Sequence, residues 1–367
     1  MRTLPLLAFL VAFAASTVQA DPLTPFRPAS NKVTLSDVQP SYDQPENRTN
    51  EFYSEWWSFV FRLEGGYKAY VQFLVSNMGP GDGKAVVKVE FTTPDGRKHN
   101  TTTNLNAREW SWAKDKFELR FGDNLLWGPI DGLRMRLSNK KLTAELAIEN
   151  LVAPWKPGTA RAYYGNSKDR YYGFQYLAPI ARVTGTVRLA GEDTDHAIKG
   201  LVHADHSTAS IGMHEQARTW ARFRALDDQT VLLLSDIRTP RQYGGTPVRF
   251  AVLFHDGEVA FESTDFEIGF SDPYADPDKP GYFAPRLLEI KGTTPKGSFR
   301  GVIHAPKLTK REDFIASSGK IVGFVVARFA KPMMYYFDGV YAFQVNEGGT
   351  SKEYKGRGNY YYTVVNP

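Results

Sequence analysis

The sequence predicts an all-β protein of two tandem antiparallel β-barrels. Three observations carry that expectation. Apolar and polar residues alternate with period two along much of the chain, turn signals punctuate the alternation, and long helical periodicity is scarce. Aromatic residues make up 14% of the 367 positions, a composition that suits β-cores and pocket walls alike.

The first elements follow a Pro- and polar-rich lead-in over 21–45. In Glu51–Leu63 one parity reads Tyr53, Glu55, Trp57, Phe59, Phe61 and Leu63. Lys84–Phe91 and Lys116–Phe121 alternate in the same way, as do Leu133, Met135 and Leu137, and then Leu142 to Ile148. Glu64-Gly65-Gly66, Pro94-Asp95-Gly96 and Asp131-Gly132 are turn signals between them. Short strands at this spacing suggest a meander that closes into a barrel. The segment 151–181, rich in Pro, Gly and Tyr, breaks the rhythm and reads as a crossover. It gives domains of 21–181 and 182–367. Strands are then expected at Arg182–Leu189, Thr219–Ala225, Val231–Ile237, Val248–His255, Glu258–Ser263, Arg286–Lys291, Phe299–Ile303, Ile321–Phe329, Val340–Val345 and Tyr360–Val365. The acidic, Pro-rich stretch 271–285 reads as a long loop.

Residues 1–20 read as a secretory signal peptide. Arg2 is the positive start, Leu4 to Ala15 the apolar run, and Val18-Gln19-Ala20 a small-residue cleavage site. Cleavage near Ala20 implies a periplasmic or secreted protein. The absence of cysteine favours a bacterial periplasm over a disulfide-rich eukaryotic secretory route. The net charge of +5 comes from 45 basic and 40 acidic residues without a basic run, so nucleic-acid binding is not expected. Transient contact with anionic membrane surfaces stays open. There is no phosphate-binding Gly-rich loop, nucleophile elbow, cysteine nucleophile or dinucleotide fingerprint, and no cofactor is expected.

Chemistry concentrates between 196 and 214, where His196, His203, His206 and His214 surround Asp205, with Trp220 just beyond. A metal site would draw on His203, Asp205, His206 and His214. On a strand, however, His203 and His206 point to opposite faces, and 205–214 would have to be a loop for all to converge. No metal is expected. An acid–base reading pairs Asp205 with His206, since imidazole titrates near neutrality and a carboxylate can tune it. A third reading makes the run a polar network that ties a loop to a barrel rim. Glu55 is a carboxylate on an otherwise apolar face, where it needs a partner or a polar group of the ligand unless the barrel mouth exposes it.

These residues also carry a resemblance. Tyr163-Tyr164-Gly165 precedes Pro179-Ile180-Ala181-Arg182-Val183-Thr184-Gly185. The central run places Gly200, His203-Ala204, Gly212-Met213, His214, Trp220 and Phe223 in order, and Ala330-Lys331-Pro332-Met333-Met334-Tyr335-Tyr336-Phe337 follows near the C-terminus. The chain resembles the two-domain lipocalin-like family of carotenoid hydratases and tocopherol-cyclase-like proteins, and is most similar to its fungal cell-survival-factor branch, which carries ceramides. The resemblance implies two lipocalin-like barrels and an apolar ligand, sphingolipid- or isoprenoid-like. The partner expected is therefore an apolar small molecule or lipid. Glu55, Trp57, His203, His206, His214 and Trp220 are the expected ligand contacts, with the three histidines and Trp220 between the domains and Glu55 and Trp57 in the first barrel. The enzyme branch's Asp-His pair is matched by Asp205-His206, followed here by Ser207-Thr208. Three readings stand: a lipid binder or carrier, a hydratase or cyclase using Asp205 and His206, and a glycan-associated protein using surface Tyr and Trp.

Overall fold

The computed structural model describes residues 20–78, 82–317 and 327–366. Residues 1–19 of the expected signal peptide lie outside the described residues. The first half comprises β1 (Leu23–Thr24), α1 (Leu35–Val38), α2 (Pro45–Arg48), β2 (Ser54–Leu63), β3 (Lys68–Ser76), β4 (Lys84–Thr92), β5 (Thr101–Leu105), β6 (Trp110–Trp112), β7 (Glu118–Phe121), β8 (Asn124–Trp127), β9 (Arg134–Ser138), β10 (Leu142–Asn150), β11 (Arg161–Tyr164), β12 (Tyr171–Leu189) and β13 (His196–Ala209). After α3 (Met213–Gln216) the second half holds β14 (Thr219–Leu226), β15 (Thr230–Arg238), β16 (Pro247–His255), β17 (Glu258–Ser263), β18 (Phe266–Ala275), β19 (Phe283–Thr294), β20 (Gly297–Asp313), α4 (Phe314–Ser317), β21 (Met333–Glu347) and β22 (Thr350–Val364).

Among the described residues the strands form two antiparallel sheets. The first runs β5-β4-β3-β2-β13-β12-β10-β9-β8-β7-β6, with β11 on β12 and β1 on β11, and curls into a nearly closed barrel. The second runs β17-β16-β15-β14-β22-β21-β20-β19-β18 and makes a half-barrel. This is the expected all-β architecture of two barrels in tandem, with the second one open. Strand parity sets each core. Trp57, Phe59, Phe73, Val87, Leu119, Phe121 and Met135 point into the first barrel, and Phe223, Leu234, Phe299, Tyr335 and Phe343 into the half-barrel.

A third core joins the halves. Tyr172, Phe174, Tyr176 and Ile180 on the outer face of β12 meet Val231, Leu233, Ile237, Phe250 and Phe254 on the outer faces of β15 and β16. Phe174 stacks on Phe250 at 5.1 Å between ring centroids. Residues 174–181 and 202–209 are consequently buried on both faces, as are 231–237 and 248–254. Runs such as Val231-Leu232-Leu233-Leu234 lose alternation for this reason: both sides are dry.

Several expectations are corrected. A boundary at 181/182 falls inside β12, and β13 pairs laterally with β2 and β12, so the first sheet takes the chain as far as Ala209. Residues 171–181 are strand rather than crossover, and 205–209 are strand rather than loop. The stretch 271–285 contains the end of β18 and the start of β19, leaving a shorter connection. Of Ile321–Phe329, residues 321–326 lie outside the described residues and 327–329 form a turn. Two glycines in the long strands sit hard against a neighbouring backbone. A Cβ on Gly185 (φ +153°) would sit 2.0 Å from the Glu145 carbonyl oxygen, and one on Gly200 (φ +156°) 2.2 Å from that of Arg62. Only glycine lets neighbouring backbones approach so closely.

Candidate functional site

Lateral pairing of β2, β13 and β12 assembles a buried polar network at the mouth of the first barrel. His206 lies opposite Trp57 on β2 and opposite Gln175 on β12, and Thr208 lies opposite Glu55. The imidazole stacks on the Trp57 ring at 4.6 Å, nearly parallel. His206 Nε2 is 2.8 Å from Glu55 Oε1, and Nδ1 is 2.5 Å from Gln175 Nε2. The hydrogen-bond pattern assigns the tautomer: Nε2–H donates to the carboxylate and Nδ1 accepts from the Gln175 amide. The other Gln175 N–H donates to the carbonyl of Asp37 in α1.

Glu55 is fully buried and accepts from five groups. Besides His206, these are the Tyr53 hydroxyl at 2.5 Å, the Ser41 backbone N–H at 3.0 Å, the Thr208 hydroxyl at 3.4 Å and, at 3.5 Å, the Ser41 hydroxyl. Burial, and then the Glu55 charge, push the Tyr53 hydroxyl well above its ordinary pKa, so the phenol stays a donor. Asn47 closes the ring, donating to the Ser41 carbonyl at 2.7 Å and to the Tyr171 hydroxyl at 3.0 Å. The carboxylate expected to need a partner therefore has several, and they anchor the lead-in 39–53 across the barrel mouth.

Helix α1 lies over this network. The Trp57 indole donates to the Val38 carbonyl at 3.2 Å, and Lys156 pairs with Asp37 at 2.8 Å. On its other side Leu35 enters the lining of a cleft of about 670 Å3, together with Val33, Phe117, Trp127, Pro129 and Ile130. Lys32, Lys116, Glu118 and Asp131 also line it. An apolar cleft of this size beside a few polar groups matches the usual make-up of a small-molecule site.

Asp205 and His206 are neighbours on β13 and so point to opposite faces. The expected acid–base pair does not form. His206 enters the barrel, while Asp205 faces the half-barrel, where its Oδ2 is 3.3 Å from the Arg224 guanidinium of β14. His203 shares that outer face. Pro179 sits in a β-bulge of β12, where a residue without an N–H is tolerated, and its carbonyl accepts from His203 Nδ1–H at 2.9 Å. His203 Nε2 is buried, has no hydrogen-bond partner among the described residues, and lies 4.0 Å from Asp205 Oδ2. Burial, aided by the Arg224 charge, lowers the His203 pKa to about 3. Burial raises that of Asp205 against the pull of Arg224. Tyr70, beside this group, is pushed up to about 12, chiefly by burial.

The expected ligand residues thus fall into three places. Glu55, Trp57 and His206 meet inside the barrel, so His206 leaves the inter-domain set. His203 and Trp220 lie between the halves; Trp220 donates to Ser235 at 2.9 Å and packs edge-on against Tyr172. His214 stands apart on α3, stacked on Phe329 at 5.0 Å with Phe52 at its edge. The donors proposed for a metal do not converge: His203 and His206 occupy opposite faces, and both His206 nitrogens are engaged. Sequence reasoning missed Ser41, Asn47, Tyr171, Gln175 and Arg224, which reach the site through long-range pairing. Tyr53 had a local signal, two residues from Glu55 on the same parity.

Comparisons with known proteins complete the description. The model of the Svf1 family matches residues 20–364. No curated protein sequence matches the chain. A solved structure of a putative AttH (NE1406) from Nitrosomonas europaea is similar, with 17% identity and a TM-score of 0.54, over 92% of this chain and 100% of that one. CghA, solved with Sch210972, is similar with 10% identity and a TM-score of 0.55, over 95% of this chain and 99% of that one. At these identities the likeness concerns the fold.

Proposed function

The chain belongs to the Svf1 family, and from that premise we propose that it binds an apolar ligand of the lipid class, sphingolipid- or isoprenoid-like, and carries it without turnover. The observation that supports this most is the apolar cleft beside α1, walled by Val33, Leu35, Phe117, Trp127 and Ile130. Each methylene buried there contributes about 0.8 kcal/mol, so a long alkyl chain binds tightly with little polar recognition. The Glu55–His206 network behind α1 supports a structural role, because its donors and acceptors are already paired with protein groups. It fixes the wall against which the ligand lies.

The test is lipid mass spectrometry of protein purified from its native host. A co-purified or exchangeable lipid is expected. In Ile130→Asp, which puts a carboxylate into the cleft, lipid uptake should fall at least tenfold, with the melting temperature unchanged within a few degrees. Absence of any exchangeable lipid from the wild type would overturn the reading. Release of a product one water heavier than the ligand supplied, or of a cyclised isomer, would favour the hydratase or cyclase reading. That chemistry would run through the Glu55–His206–Tyr53 cluster, since Asp205 and His206 do not face each other.

The reading includes export to the periplasm or medium after cleavage near Ala20. The segment just beyond is ordered as an arm: Asp21 N–H donates to the Gln242 carbonyl at 2.7 Å, and β1 pairs with β11. N-terminal sequencing of protein from a periplasmic fraction is expected to begin at Asp21. A start at Met1 would refute export.

A further inference from the structure

We propose that the crevice between the two halves binds a phosphate-class oxyanion through Arg62, Arg224 and Arg357. The crevice measures about 440 Å3. Arg62 of β2 lines it from the barrel, and Arg224, His304, Val340 and Arg357 from the half-barrel. Three guanidinium groups and an imidazole therefore face one carboxylate, Asp338. That carboxylate is already engaged, 3.5 Å from Lys307 Nζ and within reach of the Asn359 amide at 3.4 Å.

None of the three arginines is fully compensated. Arg62 donates to the Leu226 carbonyl, which carries no net charge. Arg357 has no ion-pair partner among the described residues. Arg224 is nearly buried; among the described residues it makes one hydrogen bond, at 3.3 Å, to Asp205, and its guanidinium lies 5.6 Å from the Tyr361 ring centroid. A guanidinium carries five N–H donors, so most of that fork is left for the crevice it lines. Arg62 and Arg357 are exposed and Arg224 lies deeper, so an anion entering the crevice meets all three cations.

Planar forks arriving from β2, β14 and β22 suit a tetrahedral oxyanion, which accepts bidentate hydrogen bonds from several directions. Leu226, Pro306 and Val340 add apolar wall beside the cations. The same chemistry fits free phosphate and the phosphate of a lipid head group. The crevice shares no lining residue with the cleft beside α1, so the proposal does not depend on what that cleft holds.

The test titrates the full chain with inorganic phosphate by calorimetry. In parallel it measures co-sedimentation with phosphatidylcholine vesicles, with and without phosphatidylglycerol. Saturable phosphate binding without vesicle preference identifies the free anion, and preference for the anionic vesicles identifies the head group. In either case Arg62→Gln and Arg357→Gln should each weaken binding about tenfold, as for loss of a hydrogen bond to a charged group. Lys291→Gln, on β19 outside the crevice lining and paired with Glu267, should leave binding unchanged. The proposal fails if the wild type binds neither probe. It fails equally if the Arg62→Gln, Arg357→Gln double variant binds as the wild type does.

Discussion

Glu55→Ala is expected to lose about 3–6 kcal/mol of stability, the largest effect of any single side-chain truncation in the first barrel. Removing the carboxylate leaves the Ser41 N–H, the Tyr53 and Thr208 hydroxyls and His206 Nε2–H without their acceptor in a dry interior. Each stranded donor costs about 1–3 kcal/mol, and partial relief by entering water keeps the sum below four full penalties. The loss is comparable with the whole stability of many domains. Glu55→Gln keeps the shape and one acceptor oxygen, so it should cost about 1–3 kcal/mol. Urea unfolding at pH 7 with an unchanged m-value measures both. A Glu55→Ala midpoint equivalent to a loss under about 1 kcal/mol would show that the network does not hold the lead-in over the barrel.

Acid should destabilise the protein through His203, and the sign is opposite for its neighbour Asp205. The buried His203 imidazole takes a proton only near pH 3, whereas the unfolded chain takes one near its ordinary 6.5. Stability from this group is therefore complete above pH 6.5 and drains away as the pH falls toward 3. At 1.36 kcal/mol per pH unit the total is about 5 kcal/mol. Asp205 has a raised pKa, so the folded state binds its proton first. Its contribution grows as the pH falls toward the ordinary carboxylate range and is lost as the pH rises. His203→Asn, which retains an N–H for the Pro179 carbonyl, should flatten the acid side of the stability profile. Asp205→Asn should steepen it between neutrality and about pH 4. Parallel profiles for the wild type and both variants would contradict the burial argument at this interface.

How much of the site was legible follows from distance along the chain. The inward parity of Tyr53, Glu55 and Trp57 could be read directly, because alternation is a local property of a strand. The demand that Glu55 find a partner could be read as well. The partner itself could not: His206 is brought to Glu55 by pairing of β2 with β13, elements separated by well over a hundred residues. Gln175 and Arg224 left no local trace, since a polar residue in a strand reads as solvent-facing until a second layer covers it. The stretch Ser207-Thr208-Ala209-Ser210 illustrates the same effect. Its polarity suggests a loop, yet 207–209 form a strand with both faces buried.

By itself the sequence determined the all-β character, the tandem arrangement, the apolar interior of each sheet and the concentration of titratable groups between 196 and 214. All of these rest on spacing between near neighbours. Only the tertiary structure decided that His206 joins Glu55 inside the barrel while Asp205 and His203 turn to the half-barrel. It also decided that β12 and β13 belong to the first sheet, and that clefts open beside α1 and between the halves. Strand pairing across long loops and the docking of two curved sheets set those outcomes. Both depend on which surfaces meet, and period-two alternation carries no record of the partner.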